Sequence, residues 1–526
     1  KNLKTLKALV LIHRKKTNLF LIKSKKCLTK HFKIHNMIRI LLYSIFIFIS
    51  NNVLAQKNIT FSIGEDFFSP KIGYNSPLIH SPNWEDNEFN LAITKLSPSL
   101  IRYPGGSISF YWDWENGKPK SYSDLSKKII KYDPKYTEEY LKINSHNQKS
   151  SFFKKLKRYN ASDITIKKLS HFSKVLHRSK SEGIFVLNII SSSLKEEIEM
   201  LKNAKKENIK IKYIEIGNEI NHKHELLQKV YPDAKTYADT CENWIKSIKE
   251  FFPKTKIGIV GGSKGEFKDW NEVLAKRFKN DKNVFFILHH YPILYQDFDI
   301  NNYNDFKKFI SLSEINLDKK LKEWKWEETI GYSTWVTEFN IIQKNKNKIH
   351  NTWAHALFNS NQIHQFIKKT KAEIIIFHSI GSNKFSQFSA IDLTKNYEGK
   401  YLMTAPGLST HLWSKFLSNS NKITEIKFDN NFWTFNSLIK FNPIHAYKTI
   451  KNNKTVLFIC NSTNDSYSIN TSMLAIKSAT IEQYFGDLKN NISDEINQIN
   501  SWKKNIEIFE NNFILPPYSI NLITEN

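Results

Sequence analysis

The sequence predicts an α/β protein, a (β/α)8 TIM barrel followed by an all-β sandwich. Three observations predict it. Eight short β-branched or aromatic runs recur along the middle of the chain. Helical stretches with apolar residues three and four apart lie between them. Beyond Ala405-Pro406-Gly407 the pattern changes to short strands separated by Asn-rich turns.

The barrel strands are expected at 71–74, 100–106 (LIRYPGG), 184–190, 213–219, 256–262, 283–291, 333–340 and 373–380. They read as unbroken apolar runs because a parallel barrel strand is covered on both faces. Thr60–Gly64 is the alternative for the first. Helices are expected at 87–95, 163–181, 194–207, 234–251 and 352–369. The division that follows is a barrel over 56–418 and a sandwich over 419–526. Residues 118–160, rich in Lys and Tyr, follow the second strand and are too long for an ordinary βα loop.

Composition agrees with two cores. Twelve Trp, 22 Tyr and 37 Phe in 526 residues exclude a disordered or fibrous chain, and 16 Gly with 14 Pro exclude a collagen-like one. Three Cys exclude a disulfide scaffold or a multi-zinc protein, and Cys241 and Cys460 fall in different expected domains. Residues 1–36 precede the first Met and read as translated upstream sequence. From Met37 the text MIRILLYSIFIFISNNVLA has the basic start, short apolar stretch and small-residue end of a secretory signal peptide, giving an expected domain of 1–55 that is removed. Its apolar run is too short to span roughly 30 Å of hydrocarbon. The expected location is therefore secreted or periplasmic, with no membrane span.

That leader carries 12 basic and no acidic residues, so its loss lowers the net charge from +28 to +16. The remaining excess is mostly scattered Lys, read as compositional bias or as attraction to an anionic polysaccharide. Nucleic acid is not an expected partner, since no recognition motif accompanies the charge.

Active sites of such barrels lie at the carboxyl ends of the strands. Four ends are unusual: Arg102-Tyr103-Pro104-Gly105-Gly106, Gly217-Asn218-Glu219, His289-His290-Tyr291-Pro292 and Thr337-Glu338-Phe339-Asn340. Two carboxylates meeting at a barrel mouth suit glycoside hydrolysis, where one protonates the leaving oxygen and the other attacks or shields an oxocarbenium-like carbon. Glu215, in mid-strand, is expected to form an interior ion pair. A strand of period two would send Asn218 and Glu219 to opposite faces, so a bend at Gly217 is expected. No HExxH, phosphate loop or Gly-x-Ser-x-Gly elbow occurs, and neither a metal nor a cofactor is expected.

IEIGNE and WVTEFN, whose glutamates Glu219 and Glu338 lie 119 residues apart, resemble the paired signature of glycoside hydrolase clan A. RYPGGSISFYWDWENG resembles the α-L-arabinofuranosidases, while TEFN is nearer the β-xylosidase and heparanase-like branches. The resemblance covers the barrel and extends loosely to the sandwich. It implies a retaining hydrolase of polysaccharides or oligosaccharides, with Glu219 as acid/base and Glu338 as nucleophile. Asn218 would hold the sugar 2-hydroxyl, Arg102 would keep Glu338 ionised and Tyr291 would touch the same carboxylate. His290 would bind sugar, Trp112 and Trp114 would stack on it, and His378 would stand at the subsite rim. Two other readings stay open: a β-glucuronidase or heparanase-like hydrolase of acidic glycans, with the 118–160 insertion supplying cations, and a non-catalytic carbohydrate-binding protein. Oligomeric state is not legible.

Overall fold

Eight parallel strands close into a barrel in chain order: β1 (Lys71–Asn75), β2 (Leu100–Tyr103), β3 (Glu182–Leu187), β4 (Tyr213–Ile216), β5 (Lys256–Val260), β6 (Val284–His290), β7 (Thr334–Phe339) and β8 (Ile374–Phe377), which pairs back onto β1. This computed structural model describes residues 57–76, 81–120, 166–222, 225–262, 269–331, 334–344, 349–381, 388–394, 399–429, 432–435, 439–470, 474, 476–489 and 503–526. The expected leader and nearly all of the 118–160 insertion lie outside them. Residues Ile59–Asn526 form one compact unit.

One principal helix follows each strand: α1 (Asn87–Lys95), α2 (Leu169–Ser179), α3 (Leu194–Lys206), α4 (Ala234–Phe251), α5 (Trp270–Phe278), α6 (Tyr303–Glu323), α7 (Trp353–Gln365) and α8 (Ala405–Leu417). Side chains of Asp86, Ser193, Asp233, Asn302, Thr352 and Thr404 each accept a backbone N–H from the first turn of their helix, satisfying donors that the helix itself leaves open. The amphipathic α2, α3 and α4 turn one face to the barrel. Every residue of α7 is buried, because the barrel covers one side and the β-domain the other. His364 Nδ1 on α7 meets the Tyr447 hydroxyl at 2.8 Å, and Ser360 Oγ meets His445 Nε2 at 3.0 Å.

The second layer is an antiparallel sheet of seven strands in the order Phe61–Phe68, Lys422–Phe428, Ile444–Lys451, Lys454–Asn461, Ser519–Glu525, Ser478–Phe485 and Lys503–Glu510. Tyr467–Asn470 pairs with Asn512–Leu515 in a further sheet, and Tyr467, Ile469, Phe513 and Leu515 pack with Phe61, Ile426, Leu457 and Ile481 of the large one. The chain before the barrel thus contributes an edge strand: Phe61–Phe68 ladders onto Lys422–Phe428, so this part of the 56–418 segment belongs to the β-domain and Lys71–Asn75 is the first barrel strand. Cys241 and Cys460 are both buried and free. Among the described residues no helix is long and apolar enough to cross a membrane.

Candidate active site

Inside the barrel the side chains lie in layers set by the two-residue period of each strand. Leu100, Ile184, Tyr213, Phe285, Trp335, Ile374 and Ile376 form an apolar layer. Two residues further along β2 and β4 come Arg102 and Glu215, both wholly buried. Arg102 donates from Nη2 (2.7 Å) and Nε (2.9 Å) to Glu215 Oε2, from Nη2 to Asn218 Oδ1 at 2.8 Å, and from Nη1 to Glu338 Oε1 at 2.7 Å. Glu215 is the interior ion-pair partner that its mid-strand position predicts.

β4 stops at Ile216, and Gly217 (φ +83°) and Glu219 (φ +44°) make the bend. At Gly217 a side chain is excluded twice over, by the left-handed backbone and by the Ile189 Cδ1 atom 2.7 Å from where a Cβ would stand. The turn brings both Asn218 and Glu219 to the mouth. On β7 the ladder slips between Val336 and Phe339, breaking the alternation and leaving both Thr337 and Glu338 facing the site.

Glu338 is buried and held at both oxygens. Oε1 accepts from Arg102 and, at 3.2 Å, from Asn75 Nδ2; Oε2 accepts from the Tyr291 hydroxyl at 2.5 Å. Asn75 Nδ2 also lies 2.7 Å from His378 Nδ1, whose distance to Glu338 Oε2 is 3.9 Å. Gly105 (φ +76°) makes room for this asparagine, since a Cβ there would stand 1.9 Å from Asn75 Oδ1. Burial pushes the Glu338 pKa up, but the charges of His289, His378 and Arg102 and the Tyr291 hydrogen bond outweigh it, holding the carboxyl well below its ordinary range.

Glu219 is half-buried. Its Oε1 is 3.0 Å from His289 Nδ1 and its Oε2 is 3.4 Å from His222 Nδ1. His289 Nε2 is anchored on Thr337 Oγ1 at 3.1 Å. Burial raises Glu219 and the charge of Glu338 adds to this, yet the His289 hydrogen bond and the charges of His222 and His289 leave it below the usual carboxyl value. One carboxylate oxygen of Glu219 and one of Glu338 lie within 4.8 Å of each other, with a His289 nitrogen inside the same limit. These three groups could supply metal ligands, but Arg102 already neutralises Glu338 at 2.7 Å and opposes a further cation there. The arrangement can present an ionised carboxylate to an electrophilic carbon while a second carboxyl, paired with an imidazole, handles a proton.

Of the residues expected from sequence, Arg102, Asn218, Glu219, Tyr291, Glu338 and His378 come together here. His290 does not. It pairs in register with Phe339 rather than Glu338, its ring stands edge-on to Phe366 at 5.7 Å, and both ring nitrogens are buried without a partner. Burial holds its pKa well below that of a free imidazole. His289 takes the inward place. Trp112 is buried, donating Nε1 to the Tyr103 hydroxyl at 2.9 Å, and so is a packing residue and not a stacking platform. Trp114 is half-buried against the same core. Asn75 and His289 were not anticipated. Since Tyr291 was placed on the nucleophile's side, counting back two residues would have selected His289 over His290. Asn75 lay one residue beyond the expected end of the first strand.

No family model matches the sequence, and no curated protein matches it. Solved structures do. The family 51 α-L-arabinofuranosidase of Bifidobacterium longum superposes with a TM-score of 0.64 at 13% identity, covering 89% of this chain and 99% of that one. The chain has the fold of that enzyme. The α-L-arabinofuranosidase of Thermotoga maritima gives 0.59 at 13% identity, covering 88% of this chain and 99% of that one. A 4-O-α-L-rhamnosyl-β-D-glucuronidase of Fusarium oxysporum gives 0.55 at 13% identity, covering 89% and 100%.

Proposed function

We propose that the chain is a retaining glycoside hydrolase of the α-L-arabinofuranosidase type, exported through its leader and acting on polysaccharides or oligosaccharides by double displacement. The observation that carries this reading is the approach of Glu219 and Glu338 to within 4.8 Å between carboxylate oxygens. Direct attack fits carboxyl groups about 5–5.5 Å apart, whereas an interposed water needs about 6.5–9.5 Å.

Glu338 Oε2, held by one neutral donor, is the attacking atom, while Arg102 and Asn75 keep Oε1 in place. As the bond from Oε2 to the anomeric carbon forms, the glycosidic bond breaks and Glu219 delivers its proton to the departing oxygen. The Glu338 charge is then gone, so its upward push on the Glu219 pKa is removed and Glu219 ionises more readily. In that form it takes a proton from water, whose oxygen attacks the anomeric carbon and frees Glu338. Asn218 Nδ2, buried and without a partner, is available to donate to the sugar 2-hydroxyl.

Screening 4-nitrophenyl arabinofuranosides, xylosides, galactosides and glucuronides tests the sugar, with the anomer first released read by NMR. The reading expects arabinose of retained configuration. Glu338→Ala should abolish release, and azide should partly restore it as a glycosyl azide of inverted configuration. Inversion by the wild type, or undiminished activity in the variant, would reject the mechanism.

A further inference from the structure

Glu219 separates two sides of the mouth. On one stand Arg102, Asn75, Glu338 and His378. On the other a cavity of about 150 Å3 opens where the ends of β5 and β6 part, lined in part by Glu219, His222, His289, Tyr291, Lys320 and Trp324. Neither Arg102, Asn75, Asn218 nor Glu338 reaches its wall.

Lys320, from α6, is the unusual member. Its Nζ donates to the His289 backbone carbonyl and lies 4.4 Å from the centre of the Trp324 ring. Among the described residues it forms no ion pair or hydrogen bond with a carboxylate. A lysine lining a cavity without such a partner usually carries a cost in solvation, which an anionic ligand offsets. The two imidazoles on this wall are committed to Glu219, at 3.0 and 3.4 Å. Lys320 is therefore the cation of the cavity that no carboxylate contacts, the charges of Glu219 and Glu323 acting on it from beyond ion-pair distance. Burial lowers its pKa to about 8, so it is charged at pH 6.5. Trp324 offers an apolar face of the kind that packs against the C–H face of a sugar ring.

We infer that this cavity is the leaving-group subsite and that it accepts a sugar bearing an anionic substituent, a carboxylate or a sulfate, which Lys320 pairs with beside the Trp324 ring. The inference rests on the reading of Glu219 as the group that protonates the departing oxygen, because that role places the leaving group on the Glu219 side of the bond. The enzyme would then cut a glycosyl unit from an acidic chain.

Calorimetric titration of the whole protein at pH 6.5 with methyl β-D-glucuronide, galactose 6-sulfate and methyl β-D-glucoside tests this. The charged sugars are expected to bind at least about tenfold more tightly than the neutral one, the strength of one charge-assisted contact. The uronide and sulfate arms identify which anion is taken. Lys320→Met should remove the preference and Lys320→Arg should keep it, with the far-ultraviolet spectrum and melting temperature of each variant recorded to confirm folding. Equal affinity of the wild type for charged and neutral sugars, or a preference that survives Lys320→Met, would overturn the inference. The titration needs no turnover. A protein that hydrolyses glycosides but shows no anion preference rejects this subsite alone, whereas one that hydrolyses no glycoside rejects Glu219 as the acid and with it the assignment to the leaving group.

Discussion

Tyr291→Phe is expected to slow the second half of the reaction much more than the first. The Tyr291 hydroxyl donates to Glu338 Oε2 at 2.5 Å, the oxygen assigned to attack, while Arg102 and Asn75 serve Oε1. A hydrogen bond to a charged group contributes about 1.5–3 kcal/mol. When the glycosyl-enzyme breaks down, negative charge returns to Oε2, and without the hydroxyl that return loses up to this amount. Each 1.36 kcal/mol is tenfold in rate, so release should slow by roughly 10- to 150-fold. Attack is affected less, because the free carboxylate loses the same hydrogen bond before reacting. The covalent intermediate should accumulate, lowering kcat and KM together. Stopped-flow mixing with a 2,4-dinitrophenyl glycoside of the preferred sugar should give a burst of phenolate equal to the enzyme concentration, absent or smaller in the wild type. An unchanged kcat, or a raised KM with no burst, would refute the assignment of Oε2.

Three further outcomes are expected. Glu219→Ala should cost about 10²–10⁴-fold on phenyl glycosides, whose leaving groups need a proton, and far less in the first step with 2,4-dinitrophenyl glycosides; equal losses would count against an acid role. His289→Phe removes the hydrogen bond that holds Glu219 below its ordinary pKa, so the alkaline limb of the kcat/KM profile should move to higher pH, and a limb that stays put or moves down contradicts the pairing. His364 and His445 stack at 4.7 Å between α7 and the β-domain, and burial pushes His445 down to about 3 and His364 well below its usual value. The unfolded chain takes up protons near pH 6.5 that the folded one refuses. Their contribution is thus present above about pH 6.5 and is lost as pH falls towards about 3, at about 1.4 kcal/mol per pH unit for each histidine. Denaturant midpoints between pH 7 and 4.5 should fall less steeply in His445→Phe; an identical slope would rule out this histidine as a source.

The barrel was legible because its strands are covered on both faces. Sequences such as IFVL, VFFIL and EIIIF have no other economical use in a chain of this length, and the helices between them carry their own capping residues at Ser193, Asp233 and Thr352. What misled was the chain before β1. Phe61–Phe68 buries only Phe61 and Phe67 and carries no two-residue alternation, its ladder being irregular between Thr424 and Ile426, and its partner Lys422–Phe428 lies some 360 residues away, so nothing local identifies the pairing. The expected helix over 352–369 was right in position, yet its last turn widens to a π turn at Phe366–Thr370.

The site was legible wherever a side chain's direction follows from its own strand and illegible where it depends on a neighbour. Arg102 and Glu215 continue the inward alternation of Leu100 and Tyr213, so their meeting can be worked out from period two alone. Glu338 cannot be placed that way, because the slip between Val336 and Phe339 breaks the count, and only the motif around it marked the residue. On β6 the count survives, since Phe285 of the apolar layer and Tyr291 both place His289 inward by period two, although the ladder with β7 slips between Leu288 and His289. Which histidine faces inward matters chemically. An outward His289 would leave Glu219 with burial and the charge of Glu338, both raising its pKa, and would take away the hydrogen bond that most lowers it. The position of one imidazole therefore sets part of the balance that holds the Glu219 carboxyl below its ordinary pKa, and the two-residue alternation of β6 fixes that position.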